Sequence, residues 1–169
     1  MLKARGICIE KNFEGVRMYG KKVMEYFMNP KHVGTIENAH GVGEVGNIYC
    51  GDKMWLYIKV KKVGKEEIIE DVKFKTLGCV AAIASSEALA EMIKGKSIKA
   101  VLKLTNNDVV RHLGELPKAK IHCSLLAVDA LKEAVYDYFK KSGKEIPAEL
   151  EKHHQKILKM RKEAEKRKK

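Results

Sequence analysis

The stretch that decides the fold is IIEDVKFKTLGCVAAIASSEALAEMI, residues 68–93, because its hydrophobic period changes once along its length. In the first half Val72 and Phe74 alternate with lysines, as in a strand with one buried face. After Cys79 the apolar residues recur at helical spacing, which predicts a helix ending near Gly95. A strand that passes directly into a helix at a cysteine therefore organises the middle of the chain.

The remaining elements are predicted outward from this stretch. KMWLYIKVK (53–61) shows the same two-residue alternation, and the turn after it predicts a hairpin with residues 68–76. Helical spacing and capping residues predict helices at 19–29, 97–103, 106–112 and 123–141, and a charged helix after Pro147. Because the strands come before most of the helices, the pattern is typical of an α+β fold rather than of alternating βαβ units.

Composition predicts one cytoplasmic domain with its own core. The chain has 169 residues, of which 45% are hydrophobic, and this is enough to bury a core without disulfides. No apolar run is long enough for a membrane span, and the N-terminus lacks the apolar run of a secretory signal. In a cytoplasmic protein the four cysteines are expected to be thiols.

The net charge of +12 raises the question of nucleic acid binding. Residues 148–169 contain nine Lys or Arg against four Asp or Glu, so much of the excess lies at the C-terminal end. The sequence has no aromatic RNA-binding motif, zinc-finger spacing or recognition-helix signature. We therefore expect a solvated basic surface and no nucleic acid partner.

A glycine pattern, GVGEVG (41–46), matches the G-x-G-x-x-G of dinucleotide-binding turns. Such a turn needs a buried strand before it and a helix after it, so that the helix N-terminus holds the pyrophosphate. Here the predicted next element is a strand. We therefore expect no nucleotide, and predict that the glycine-rich segment 34–51 is a loop bending closely around Cys50.

Three of the four cysteines stand at boundaries between predicted elements. Cys50 ends the glycine-rich segment as CGD, with Asp52 two residues on, and Cys79 and Cys123 each begin a helix, Cys123 with His122 beside it. Helix N-termini favour thiolate over thiol. Two other roles for these cysteines remain open: each is a small buried hydrophobic residue, or Cys123 and His122 form a nucleophilic pair. Three thiolates with an Asp or His suit zinc or an iron–sulfur cluster by ligand softness.

The other candidate ligands have no such pattern. Cys8 lies in the unpatterned first residues and is given no role. The remaining histidines are expected in surface or loop positions: His32, His40, His112, His153 and His154.

Four segments carry a family resemblance: NPKHVG (29–34), GVGEVGNIYCGD (41–52), IEDVKFKTLGCVAAIASS (69–86) and LPKAKIHCS (116–124). In these segments the chain resembles the IscU family of iron–sulfur cluster assembly scaffolds, which includes the N-terminal domain of NifU. The resemblance implies a small three-stranded antiparallel sheet with helices packed on it. It divides the chain into an N-terminal extension (1–18), an IscU-like scaffold domain (19–143) and a basic, predicted helical tail (144–169).

The resemblance also implies a site. Cys50, Cys79 and Cys123 would bind the cluster, with Asp52 as the modulating carboxylate and His122 as an alternative ligand. Members of the family take sulfur from a cysteine desulfurase, take up Fe²⁺, and form a labile [2Fe–2S] cluster for delivery to acceptor proteins, without turnover chemistry of their own. From the residues we predict Cys123 as the primary sulfur acceptor, because a helix N-terminus and neighbouring lysines favour its thiolate, with Cys50 second.

Departures from the family pattern bear on partners and on the alternative function. LPKAK (116–120) replaces the family's common LPPVK, which argues against recognition by a dedicated Hsp70-type chaperone. The alternative is a zinc-dependent sulfur-accepting transferase of the SufU type, with Zn²⁺ at the same residues. That branch has an insertion before its last cysteine, for which residues 106–123 leave little room. Monomer and homodimer both remain open.

Overall fold

Three antiparallel strands in the order β1-β2-β3 form the sheet of this protein, in a computed structural model that describes residues 19–47 and 51–166. The strands are β1 (Gly41–Gly46), β2 (Lys53–Val63) and β3 (Glu66–Leu77). The helices are α1 (Lys21–Met28), α2 (Val80–Ile93), α3 (Ile98–Val101), α4 (Asn106–Leu113), α5 (Ile121–Lys141) and α6 (Ala148–Lys166). None of these helices is both long enough and apolar enough to cross a membrane.

The hairpin predicted from residue alternation is confirmed. Leu56 pairs with Phe74 and Ile58 with Val72, and all four side chains are fully buried on the face covered by α2 and α5. The lysines that alternate with them point to the opposite face. The two-residue period therefore decided which face of the sheet became the core.

The glycine-rich segment is not a loop throughout, and the prediction is wrong for residues 41–46, which form β1. A Cβ on Gly41 would collide with the carbonyl oxygen of Ala134, and one on Gly43 with that of Ala130. The two glycines therefore let the backbone of α5 lie directly on the strand. The next described element after β1 is the strand β2, as the alternation at 53–61 predicted.

The segment Asn29–Gly34 lies along the outer edge of β3. The Phe74 N–H donates to the His32 carbonyl (2.9 Å) and the Gly34 N–H to the Phe74 carbonyl (2.8 Å). The His32 backbone N–H and its Nδ1 both contact the buried carboxylate of Glu87, at 2.9 and 2.7 Å. His32 lies in a loop, as expected, and its imidazole ties this edge segment to α2.

The predicted C-terminal helix is confirmed as α6, which packs across α5. His153 Nε2 lies 2.9 Å from Asp129 Oδ1, and His154 Nδ1 lies 2.8 Å from Glu133 Oε2. Ile157, on the same helix, is buried. The surface role expected for these two histidines is wrong, because both are half-buried and paired with carboxylates of α5.

Candidate metal centre

Both described cysteines of the candidate site lie at helix N-termini. Cys79 is the N-cap of α2, directly after β3. Cys123 is the third residue of α5, since that helix begins at Ile121, two residues earlier than predicted. The two Sγ atoms lie 3.5 Å apart. The N-terminal ends of two helices thus meet at one pair of thiols.

A carboxylate completes the group from the start of β2. Asp52 is 8% exposed, and its Oδ2 lies 3.9 Å from the Sγ of Cys123. The Asn47 N–H donates to the Asp52 carbonyl (2.8 Å), and the Gly51 N–H donates to the Asn47 carbonyl (2.9 Å). Gly51 has a φ of 73°, a left-handed conformation that glycine adopts readily. Backbone bonds to Asn47 therefore fix residues 51 and 52 at the start of β2.

One ligand atom from each of Asp52, Cys79 and Cys123 lies within 4.8 Å of the other two. Two thiolates bound to one tetrahedral ion are separated by about 3.8 Å, given metal–sulfur bonds of about 2.3 Å. The observed 3.5 Å between the two sulfurs is close to that value. These residues can therefore hold one soft metal ion, or one iron of a cluster, with little rearrangement.

Two predicted site residues stand apart from this group. Cys50 lies outside the described residues, although its successors Gly51 and Asp52 are described. His122 is half-buried beside Cys123 but is not part of the group of ligand atoms found among the described residues. The ligand roles predicted for Cys50 and His122 stay predictions.

Gly78 is a site residue that sequence reasoning did not assign. A Cβ on Gly78 would lie 3.2 Å from the Cγ of Asp52 and 2.7 Å from the Cβ of Ala82. The glycine therefore leaves the space that the Asp52 carboxylate occupies beside α2. Its position immediately before Cys79 is the signal that could have pointed to it.

Tyr19 is a second neighbour that the sequence did not reveal. Burial raises the pKa of its hydroxyl, and negative charge on Cys79 and Cys123 acts in the same direction, whereas the Lys120 ammonium opposes them. The phenol therefore lies close enough to both thiols and to the Lys120 ammonium to sense their charges.

The two described thiols differ in their accessibility to solvent. Cys123 is only 2% exposed, whereas Cys79 is half-buried. The first turn of α5 points Cys123 inward, toward Asp52, because the helix begins before it. Access from solvent is therefore better at Cys79 than at Cys123.

Thiols and a carboxylate, gathered where a three-stranded sheet meets two helix N-termini, define a small α+β domain that can hold a soft metal. The chain belongs to the family of the NifU-like N terminal domain, whose model matches residues 18–145. The helix α6 begins beyond the matched range.

Several relatives in this family are similar to the chain over most of its length. An iron–sulfur cluster assembly scaffold protein IscU of Archaeoglobus fulgidus is 56% identical over 127 residues, which are 75% of this chain and 80% of that protein. The IscU scaffold protein of Aquifex aeolicus is 48% identical over 126 residues, 75% and 79% of the two chains.

Solved structures agree on the fold. A putative iron–sulfur cluster assembly scaffold protein for the SUF system, from Fervidobacterium islandicum, has a TM-score of 0.56 and 27% identity, and the match covers 70% of this chain and 96% of that one. A NifU-like N-terminal protein from Brucella abortus has a TM-score of 0.54 at 18% identity, with coverage of 73% and 96%. The α+β class predicted from the sequence is confirmed.

Proposed function

We propose that this protein is a scaffold on which an iron–sulfur cluster is assembled and from which it is passed on. The observation that carries the proposal is the convergence of Asp52, Cys79 and Cys123 within 4.8 Å. Relatives up to 56% identical bear the name of cluster assembly scaffold. The protein then acts by holding its cargo and releasing it, without turnover chemistry of its own.

The cargo is a labile [2Fe–2S] cluster, assembled from iron and desulfurase-derived sulfur. Its proposed ligands are Cys50, Asp52, Cys79 and Cys123, with His122 as an alternative when the cluster is absent or incomplete. Carboxylate oxygen is a harder ligand than thiolate and a weaker match for a cluster iron. A site with one carboxylate among thiolates therefore suits a cluster that has to leave.

Sulfur enters, on this proposal, as a persulfide delivered by a cysteine desulfurase to Cys123, with Cys50 as the second candidate. Lys120 and the helix N-terminus support a thiolate at Cys123. Cys123 is only 2% exposed, and the attack of a thiolate on a persulfide also depends on access to that thiolate. The desulfurase therefore has to open the first turn of α5 before Cys123 accepts sulfur.

The partners follow from this cycle: a cysteine desulfurase upstream and iron–sulfur acceptor proteins downstream. The departure at residues 116–120 still argues against a dedicated Hsp70-type chaperone. We place the protein in the cytoplasm, where thiols stay reduced. It acts there as a monomer or a homodimer.

Anaerobic reconstitution with iron and sulfide tests the function. We expect a visible sulfur-to-iron charge-transfer spectrum in the wild type and its loss in Cys79→Ser and in Cys123→Ser. A colourless protein that instead retains about one tight zinc per chain, bound in the closed tetrahedral manner of zinc sites, contradicts the proposal. That outcome favours the zinc-dependent sulfur-accepting transferase of the SufU type.

A further inference from the structure

The C-terminal helix reaches the metal centre, although it begins beyond the residues that match the family. The two histidine–carboxylate pairs to α5 fix the first half of α6. Its last turns then run past the outer edge of β1. There the Arg161 guanidinium donates a hydrogen bond to the carbonyl oxygen of Glu44.

Between the end of α6 and the start of β2 lies a groove of about 540 Å³. One wall includes Asp52 with Asn47 and Gly51, and the other comes from α6, with Met160, Arg161 and Ala164. The helix therefore lies across the groove from the carboxylate ligand. The charged residues of this lining are of both signs: Arg161 and Lys53 are basic, and Glu44 and Glu165 are acidic.

A short series of contacts connects Arg161 to Asp52. Arg161 holds the Glu44 carbonyl, which points away from β2 at the unpaired edge of β1. Three residues further on, the Asn47 N–H donates to the Asp52 carbonyl at 2.8 Å. A displacement of the end of β1 is thus passed directly to the backbone of the carboxylate ligand.

We propose that Arg161 is a positioning residue for Asp52, and that α6 sets how readily metal leaves the site through this groove. The proposal rests on the proposed function, since it takes Asp52 to be a ligand of the cargo. Arg161 itself binds no metal. It acts by fixing the end of β1, as an outer partner fixes a metal ligand.

Three variants separate positioning from general stability. Arg161→Ala removes the bond to Glu44, and Arg161→Lys keeps the charge and one donor. Lys162→Ala is the matched control, because it removes the same charge from an exposed side chain one residue along α6. Circular dichroism melting shows whether α6 is intact in each variant.

The first measurement needs no metal. Asp52 is labelled with a water-soluble carbodiimide and glycine ethyl ester in the metal-free protein, and the modified residue is quantified by mass spectrometry. We expect Arg161→Ala to label several times faster than the wild type at Asp52, Arg161→Lys to lie between them, and Lys162→Ala to match the wild type.

The second measurement follows Co²⁺ leaving the protein for an excess of chelator, detected by the sulfur-to-cobalt absorption. In Arg161→Ala we expect release to quicken on the order of tenfold, the lower end of the loss typical when an outer partner of a ligand is removed. If Arg161→Ala matches Lys162→Ala in both labelling and release, the inference is wrong. If wild-type protein gives no sulfur-to-cobalt band, the proposed function fails, whereas the labelling result still decides the role of Arg161.

Discussion

The Sγ atoms of Cys79 and Cys123 lie 3.5 Å apart, although 44 residues separate the two cysteines in the chain. A disulfide requires about 2.05 Å between sulfurs, whereas two thiolates on one tetrahedral ion are separated by about 3.8 Å. The pair is therefore arranged for a metal before any metal arrives. The predictions below follow from how this pair, Asp52 and the surrounding backbone are held.

Replacing Asp52 with Ala is expected to slow cluster delivery to an apo-acceptor, on the order of tenfold, because the site loses its hardest and most exchangeable ligand. Stopped-flow absorbance of the loaded protein mixed with apo-ferredoxin measures the rate. Asp71→Ala is the control, since Asp71 lies on β3 outside the metal centre and its carboxylate pairs with Lys94. Faster loss of the cluster, or an unchanged rate, contradicts the proposed role of the carboxylate.

Gly78→Ala is expected to weaken metal binding and also to lower stability, because the contact with Ala82 on α2 forces a shift. The added Cβ meets the Asp52 carboxylate at 3.2–3.3 Å and Ala82 at 2.7 Å, so the carboxylate has to move away from the thiols. Competition for Co²⁺ against a chromophoric chelator should show a loss in affinity of about tenfold. Gly20→Ala is the control, because a Cβ there meets nothing within 4 Å. Equal affinity in the two variants would show that Asp52 does not depend on the space at Gly78.

Gly43→Ala is expected to destabilise the fold rather than the metal centre. Its Cβ collides with the backbone of α5 at Ala130 and Ala134, which forces β1 and the helix apart. Overpacking of this kind costs about 1–3 kcal/mol, and backbone atoms yield less than flexible side chains. Urea unfolding followed by circular dichroism should show a lower midpoint, against no change in Gly20→Ala. An unchanged midpoint would mean that α5 can lift from β1 at negligible cost.

Docking of α6 is expected to depend on pH. Burial lowers the pKa of His153, but the carboxylates of Asp129 and Glu133 outweigh it and raise that pKa above its ordinary value of 6.5. Burial raises the pKa of Glu133, but His153 and His154 outweigh it and lower that pKa below 4.5. Charged His153 therefore stabilises the fold fully below pH 6.5, and this is lost as the pH rises through its raised folded pKa. Charged Glu133 contributes above pH 4.5, and this is lost as the pH falls through its lowered folded pKa.

The two effects together give the most stable docking between about pH 4.5 and pH 6.5. Thermal melts at about pH 6 and about pH 8, which bracket histidine titration, should show a decline in the wild type that is smaller in His153→Gln. Lys132, on α5, also acts on the imidazole of His153 and opposes its positive charge. His112→Gln, on α4, is the control and should keep the wild-type decline. Equal declines in melting temperature in the wild type and in His153→Gln would show that this histidine does not contribute to the pH response.

Much of the fold could be read from local patterns. The change of period in residues 68–93 located β3 and α2, and the alternation at 53–61 located β2. The first strand was missed because GVGEVG has neither the β-branched density nor the clear alternation of an ordinary strand. Its glycines reflect the approach of α5, which lies almost 90 residues further along the chain.

The sequence by itself determined the class of the fold, the helix N-termini that carry Cys79 and Cys123, and the set of soft and hard ligands, because periodicity, capping and residue chemistry act over a few neighbouring residues. Only the tertiary structure decided which ligands meet, which thiol is buried, and that Gly78 and Arg161 support Asp52. These contacts join residues 26 to 117 positions apart, and their geometry depends on how α2, α5 and α6 pack around the sheet. The sequence shows which chemical groups such a site contains, whereas packing sets the distances between those groups and their access to solvent.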